Sequence, residues 1–272
     1  MKTGFTQLNF IINAITFFEK ASLKGWHERN AGNLTYRLTN DEITSAATFF
    51  NDNRHFPLDI PEKSINNLAG EHFLVTNAGS FISNIPGNPC NTLSIIKIDD
   101  NLKGYTVLFG DSLHRPTSEL FSHLIAHSIK IKQGKRVVYH SHPENIIALS
   151  FLLLHTPEAF SNTLWRSNTE CPLAFPEGIG VLPFLVPGSL EIALESSKMF
   201  EKFNILVWAH HGIFSAGVDF DDAFSLVEVV EKAAKIYLLY SSAGKAVSTI
   251  TKQNILDECK ALGISINRDL LI

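Results

Sequence analysis

The sequence predicts an α/β fold, on three observations. Residues at helical spacing, such as Leu8, Ile11, Ile12, Ile15 and Phe18, mark segments that intermingle with β-branched and aromatic runs, such as 136–139 and 205–208, along the whole chain. Glycine, proline and capping residues separate the two kinds of segment. Of the 272 residues, 45% are hydrophobic and 18% charged, which is a globular composition with ample material for a core.

The elements follow in order. A first amphipathic helix is expected over about 7–24, stopped by Gly25. The turn 30–33 leads into a strand at 34–38. Residues about 40–70 are polar, contain Pro57 and Pro61, and read as a variable insertion or loop region, with a short helix as the other reading. FLVTNAGS (73–80) is a strand ending in a glycine turn, and 94–99 with 105–109 form a hairpin over a five-residue loop. PTSEL opens a helix that Thr117 or Ser118 can cap, with Glu119 in the first turn. A strand over 136–142 follows, and Pro143 can open the next helix because a first-turn residue needs no N–H. Beyond it lie a strand at 178–184, a helix near 189–202, a strand at 205–212, and helices at 221–243 and 252–262. There is no repeat or linker, so a single domain over 1–272 is expected.

Composition excludes several roles. A net charge of -4 offers no basic footprint for nucleic acid. The most apolar stretch, 146–154, is too short to cross a bilayer, so no membrane role is expected. Cys90, Cys171 and Cys259 are odd in number and widely spaced, and no small-residue cleavage site follows the N-terminal helix; both favour the cytoplasm.

The chemistry concentrates in two histidine clusters. In RVVYHSHPEN, successive strand residues face opposite ways, so His140 and His142 share a face and Ser141 takes the other. A second apolar strand runs into His210-His211-Gly212. Two strands ending this way can bring three imidazoles together and leave a position open, the pattern of a catalytic rather than a structural zinc site. Spacing alone does not choose between His210 and His211. Glu119 can serve the helix dipole, or act as a general acid/base beside a metal. Thr117 and Ser118 can cap the helix or line an anion pocket at its start. His123 and His127, four apart on the same helix, can share one face; with no further ligand to pair with, they read as structural, like His27, His55, His72, His114 and His155.

GWHERNAGNLTYRL, FLVTNAGSF, PTSEL, VVYHSHPENIIAL, LWRSNTECPLAFPEGIGVLP and VWAHHGIFSAG occur in this order. Together they resemble the zinc-dependent class II aldolase/adducin-head family over about residues 7–262. The first, third and fifth segments point to its rhamnulose-phosphate branch. The resemblance implies a three-layer α/β/α sandwich around a mainly antiparallel central sheet. It implies one Zn2+ per subunit on His140, His142 and His211, with Glu119 as acid/base and Glu170 as a second acid near the aldehyde end. Asn30, Asn33, Asn77, Ala78, Gly79, Thr117 and Ser118 match the pocket for the substrate phosphate. The implied reaction is retro-aldol cleavage of L-rhamnulose 1-phosphate by a homotetramer. Rival readings are another aldolase, an epimerase or a dehydratase on a different sugar phosphate, or a metal-free binding module. The turn Asn77-Ala78-Gly79 departs from the Gly-Ser-Gly of the compared branch; a hydroxyl is lost, and backbone N–H groups can still hold phosphate.

Overall fold

The computed structural model describes residues 2–111, 113–244 and 246–272. Among them, nine strands form one sheet: β1 (Asn33–Arg37), β2 (His55–Pro57), β3 (His72–Thr76), β4 (Leu93–Ile98), β5 (Gly104–Phe109), β6 (Val137–Ser141), β7 (Gly180–Leu182), β8 (Ile205–Trp208) and β9 (Gly212–Gly217). Their order is β2-β5-β4-β3-β1-β6-β9-β8-β7. All neighbours are antiparallel except β7 and β8.

Alternation along the strands builds the layers. Leu74 and Ile95 face a core shared with helices Asn9–Leu23 and Phe220–Ser242. Phe73, Val75, Ile96 and Ile98 face the other way, against Leu120, Leu124 and Ile125 of helix Leu120–Lys130 and Ala193 of helix Leu190–Phe200. Side chains of period two thus bury both faces of the sheet, and helices cover each face. Burying one such side chain contributes about 1.5–3 kcal/mol. The expected sandwich with a mainly antiparallel sheet is the observed architecture.

The stretch 40–70 is more ordered than a loop. It holds helix Asn40–Ala46, closed by a Thr39–Glu42 capping box, and the edge strand β2. Ile60, Ile65 and Leu68 from the same stretch enter the second core. The elements that escaped the sequence reading include helix Pro157–Trp165, helix Glu170–Ala174 and strand β9. Among the described residues, no helix is long and apolar enough to cross a membrane.

Candidate active site

β6 lies between β1 and β9, with His140 at its second-last position and His142 just past its end. His140 pairs across the sheet with Asn33 on one side and Phe214 on the other. Directly paired residues share a face, so the Asn33 amide and the His140 imidazole emerge together. His142 follows the strand end, and its N–H donates to the carbonyl of Trp26 at 2.9 Å. The helix that comes next, Glu144–Leu149, has the N–H groups of Asn145 and Ile146 bonded to the buried carboxylate of Glu231 at 3.0 and 2.9 Å. Pro143 sits at the cap of this helix, one place earlier than a first-turn residue.

The distal histidines do not stand on a strand. β8 ends at Trp208, and residues 209–211 form a tight turn in which the N–H of His211 donates to the Trp208 carbonyl at 3.0 Å. His210 takes φ +65° there. This turn separates the two imidazoles. His210 faces Ser150 and packs on Phe151 and His155. His211 returns to the HxH pair, with its Nε2 3.2 Å from Nε2 of His140.

Gly212 explains why a glycine follows. A Cβ there would lie 2.5 Å from the Ser141 carbonyl oxygen, 2.8 Å from Cδ2 of His142 and 3.0 Å from Cε1 of His140. The backbone of β9 therefore passes against both imidazoles with no room for a methyl group. Gly212→Ala is expected to cost about 1–3 kcal/mol of stability through overpacking and to displace the imidazoles. Metal content and melting temperature of the purified variant check this; wild-type values for both would contradict it.

The ring hydrogen bonds test whether the cluster fits a cation. Nδ1 of His140 lies 3.0 Å from the carbonyl oxygen of Ile213, which can only accept, so Nδ1 carries the proton. Nδ1 of His142 lies 2.8 Å from the Glu28 carboxylate and donates in the same way. Burial holds His140 well below the ordinary imidazole range, against the pull of Glu119, so the ring is neutral. The bare Nε2 of His140 then faces Nε2 of His142 and of His211 across 3.1 and 3.2 Å. A cation shared by the three rings would take up that lone pair. Nitrogens about 2.0–2.1 Å from one tetrahedral ion sit roughly 3.3 Å apart, close to the observed spacings. Ligand atoms of His140, His142 and His211 all lie within 4.8 Å of one another, so the three can hold a metal ion. The His140, His142 and His211 side chains are 1%, 12% and 24% exposed, so the open side of the cluster faces solvent past His211.

Glu119 flanks this cluster. Its Oε2 is 3.6 Å from Nε2 of His140 and its Oε1 is 3.7 Å from Nε2 of His211. Its position on the helix differs from expectation. It stands at the cap, before Leu120, rather than in the first turn, and its carboxylate makes no capping bond. The Thr117 hydroxyl accepts the N–H of Glu119 at 3.2 Å, and its carbonyl accepts that of Leu120 at 3.2 Å. The carboxylate is thus free to point at the histidines, where it accepts from Nδ2 of Asn33 at 2.8 Å. Burial acts to raise this carboxyl; the imidazole of His140, His211 and the Asn33 amide outweigh it and hold the group well below the ordinary carboxylate range.

The remaining residues divide. Asn33 belongs to Glu119 through its amide nitrogen. The 76–79 turn lies against the start of the PTSEL segment: the Ala78 N–H donates to the Arg115 carbonyl at 2.8 Å, and the Thr117 N–H to the Thr76 carbonyl at 2.9 Å. This contact commits the turn's first two donors, because the Asn77 N–H also donates, to Thr92. The Asn77 side chain is occupied too, donating to the Asn91 carbonyl and accepting from Ser94. The backbone N–H groups of Asn77 and Ala78 are thus bonded within the fold; Gly79, Ser118 and Asn30 are the exposed members of that set. Glu170 is exposed at the start of its own helix and makes no ion pair with the three histidines among the described residues. It lines a groove with Lys24, Trp26, Asn145 and Glu231. Sequence reasoning missed Glu28; a carboxylate two residues before the Asn30–Asn33 turn was the available signal.

Residues 14–238 match the family described as Class II Aldolase and Adducin N-terminal domain. The chain is 38% identical over 265 residues to a rhamnulose-1-phosphate aldolase of Klebsiella pneumoniae subsp. pneumoniae, covering 95% of this chain and 93% of that one. It is 36% identical over 265 residues to the rhamnulose-1-phosphate aldolase of Escherichia coli strain K12, covering 96% of each. A sugar-phosphate aldolase from Thermotoga maritima has a similar structure, with a TM-score of 0.71 and 26% identity over 85% of this chain and 94% of that one. A family match across most of the chain and full-length relatives above one-third identity agree with the fold and with the histidine cluster: the chain belongs to the class II aldolase and adducin N-terminal domain family.

Proposed function

We propose that this class II aldolase acts as a single catalytic domain that cleaves L-rhamnulose 1-phosphate to dihydroxyacetone phosphate and L-lactaldehyde. One observation carries the reading: the ligand nitrogens of His140, His142 and His211 gather within 4.8 Å of one another, with the buried Glu119 carboxylate 3.6 Å from His140. A binding module has no use for such an arrangement. The names of the full-length relatives support the choice of sugar phosphate.

His140, His142 and His211 would hold the cation, one per subunit, and an all-nitrogen set with an open position suits Zn2+. When bound, a divalent cation supplies Lewis acidity that stabilises the charge developing on the enediolate. The chain's own residues handle protons and position. As the C3–C4 bond breaks, the C4 hydroxyl loses its proton and C4 becomes the aldehyde carbon. The C4 proton passes to the group at the C4 end, the bonding pair remains on the C3 fragment, and Glu119, after taking up a proton from solvent, delivers it to C3. In the aldol direction Glu119, ionised in this structure, takes that proton. The phosphate would lie toward Asn30, Gly79, Thr117 and Ser118.

Glu170 remains the acid proposed for the C4 end. Among the described residues it makes no ion pair with its own chain's triad, and we place it at a site completed by a neighbouring copy in a cytoplasmic homotetramer. A coupled assay of the metal-loaded protein against a panel of ketose 1-phosphates tests the function. Cleavage of L-rhamnulose 1-phosphate ahead of the other members is expected; a metal-loaded protein that cleaves none of them would end the proposal.

A further inference from the structure

Behind Glu119 runs a chain of buried polar side chains that the reaction as described does not use. Asn33 and Thr35 lie two apart on β1 and share a face of the sheet. His123 and His127 lie four apart on helix Leu120–Lys130 and share a face of that helix. The two faces meet. Nε2 of His127 lies 2.8 Å from the Thr35 hydroxyl, which lies 2.9 Å from Nδ1 of His123. Nε2 of His123 contacts Oδ1 of Asn33, and Nδ2 of Asn33 reaches Glu119 at 2.8 Å. Thr35, His123 and His127 are at most 1% exposed, so water does not substitute for a missing partner.

The side-chain partners along this chain assign its protons; the His123 ring also meets the Val138 backbone. Glu119 is a carboxylate and only accepts, so the Asn33 NH2 must face it. The Asn33 carbonyl oxygen then faces His123, whose Nε2 must carry a proton. Burial keeps His123 neutral, pushed down to about 4, so its Nδ1 is a bare acceptor. The single hydroxyl proton of Thr35 goes to that Nδ1. His127 must therefore donate from its Nε2, and its Nδ1 is left without a proton. That Nδ1 is a buried ring nitrogen with no hydrogen-bond partner among the described residues, and a bare nitrogen is the end at which the chain can stop.

We infer that His123 is a positioning residue for the acid/base: by donating from Nε2 to the Asn33 carbonyl, it fixes the amide so that its NH2, not its oxygen, meets Glu119. With the other tautomer, a lone pair would meet the Asn33 oxygen and drive the amide to flip. Two acceptors would then stand where Asn33 and Glu119 now bond. Holding Oε2 leaves Oε1, on the His211 side, as the oxygen that moves the proton. The inference rests on the reading of Glu119 as acid/base.

Two measurements decide it. Long-range proton–nitrogen NMR on the metal-loaded wild type, with labelled histidine, should show neutral Nε2–H tautomers for His123 and His127; an Nδ1–H tautomer at His123 would overturn the inference without reference to activity. Kinetics are read on metal-loaded His123→Leu, His123→Gln and Thr35→Val, with Glu119→Gln alongside. His123→Leu is expected to lower kcat about 10- to 100-fold with KM and metal content nearly unchanged. His123→Gln, whose amide NH2 can replace the Nε2 donor, should return kcat to within a few-fold of the wild type. Thr35→Val, which keeps the strand and removes the hydroxyl, should fall in the direction of His123→Leu and serves if that variant does not fold. Wild-type kcat in both His123→Leu and Thr35→Val, with Glu119→Gln inactive, would refute the positioning role alone. If Glu119→Gln itself turns over normally, the acid/base reading fails, and the tautomers still decide the hydrogen-bond chain.

Discussion

Glu119→Gln is expected to lower turnover of L-rhamnulose 1-phosphate by about 100- to 10,000-fold, the usual contribution of a general acid or base. Fold and metal should survive. Gln matches the volume, its oxygen can accept the Asn33 NH2 in place of Oε2, and the three histidines are untouched. The competing account makes Glu119 a charge at a helix N-terminus. Its loss would then cost about 0.3–1 kcal/mol of stability and little activity. The structure weakens that account, because the carboxylate makes no bond to the helix it begins and lies 3.6–3.7 Å from two imidazole nitrogens. Turnover, metal content and melting temperature of the variant separate the two. Normal metal with turnover within a few-fold of wild type would remove Glu119 from the chemistry.

His211→Ala is expected to strip the metal and abolish activity, whereas His210→Ala keeps both. Adjacent in sequence, the two rings are divided by the turn at His210, whose φ of +65° sends its imidazole to Ser150 and that of His211 to within 3.2 Å of His140. Loss of a direct ligand should exceed the about 10- to 100-fold effect of losing an outer partner such as Glu28. Metal analysis of both purified variants is the check. Near-stoichiometric metal in His211→Ala, or metal-free His210→Ala, would reverse the assignment.

What could be read in the sequence followed from local periodicity. Alternation alone put His140 and His142 on one face, and the apolar spacing found the helices Asn9–Leu23 and Phe220–Ser242 to within a residue or two. Strand β9 was not legible, because Gly212, Ser215, Ala216 and Gly217 carry little β propensity; its place between β6 and β8 makes it a strand. Helix Pro157–Trp165 did carry a signal, Thr156 as cap with Pro157 at the first position. The choice of His211 came from family resemblance, since a left-handed residue at His210 leaves no pattern in the chain. Asn33 shows the remaining limit. Its partnership with Glu119 depends on the register of β1 against β6, which pairs it with His140, and register between strands a hundred residues apart is not written in either strand.

The central claim is that Glu119 moves a proton at C3 beside a histidine-held cation. It is tested most directly by the half-reaction with dihydroxyacetone phosphate in D2O, without aldehyde, followed by proton NMR. The account predicts that the metal-loaded wild type exchanges one of the two hydrogens on the hydroxymethyl carbon. It also predicts that exchange stops when the metal is chelated and in metal-loaded Glu119→Gln. Exchange at the wild-type rate in Glu119→Gln, or none in a wild type that cleaves L-rhamnulose 1-phosphate, would contradict it.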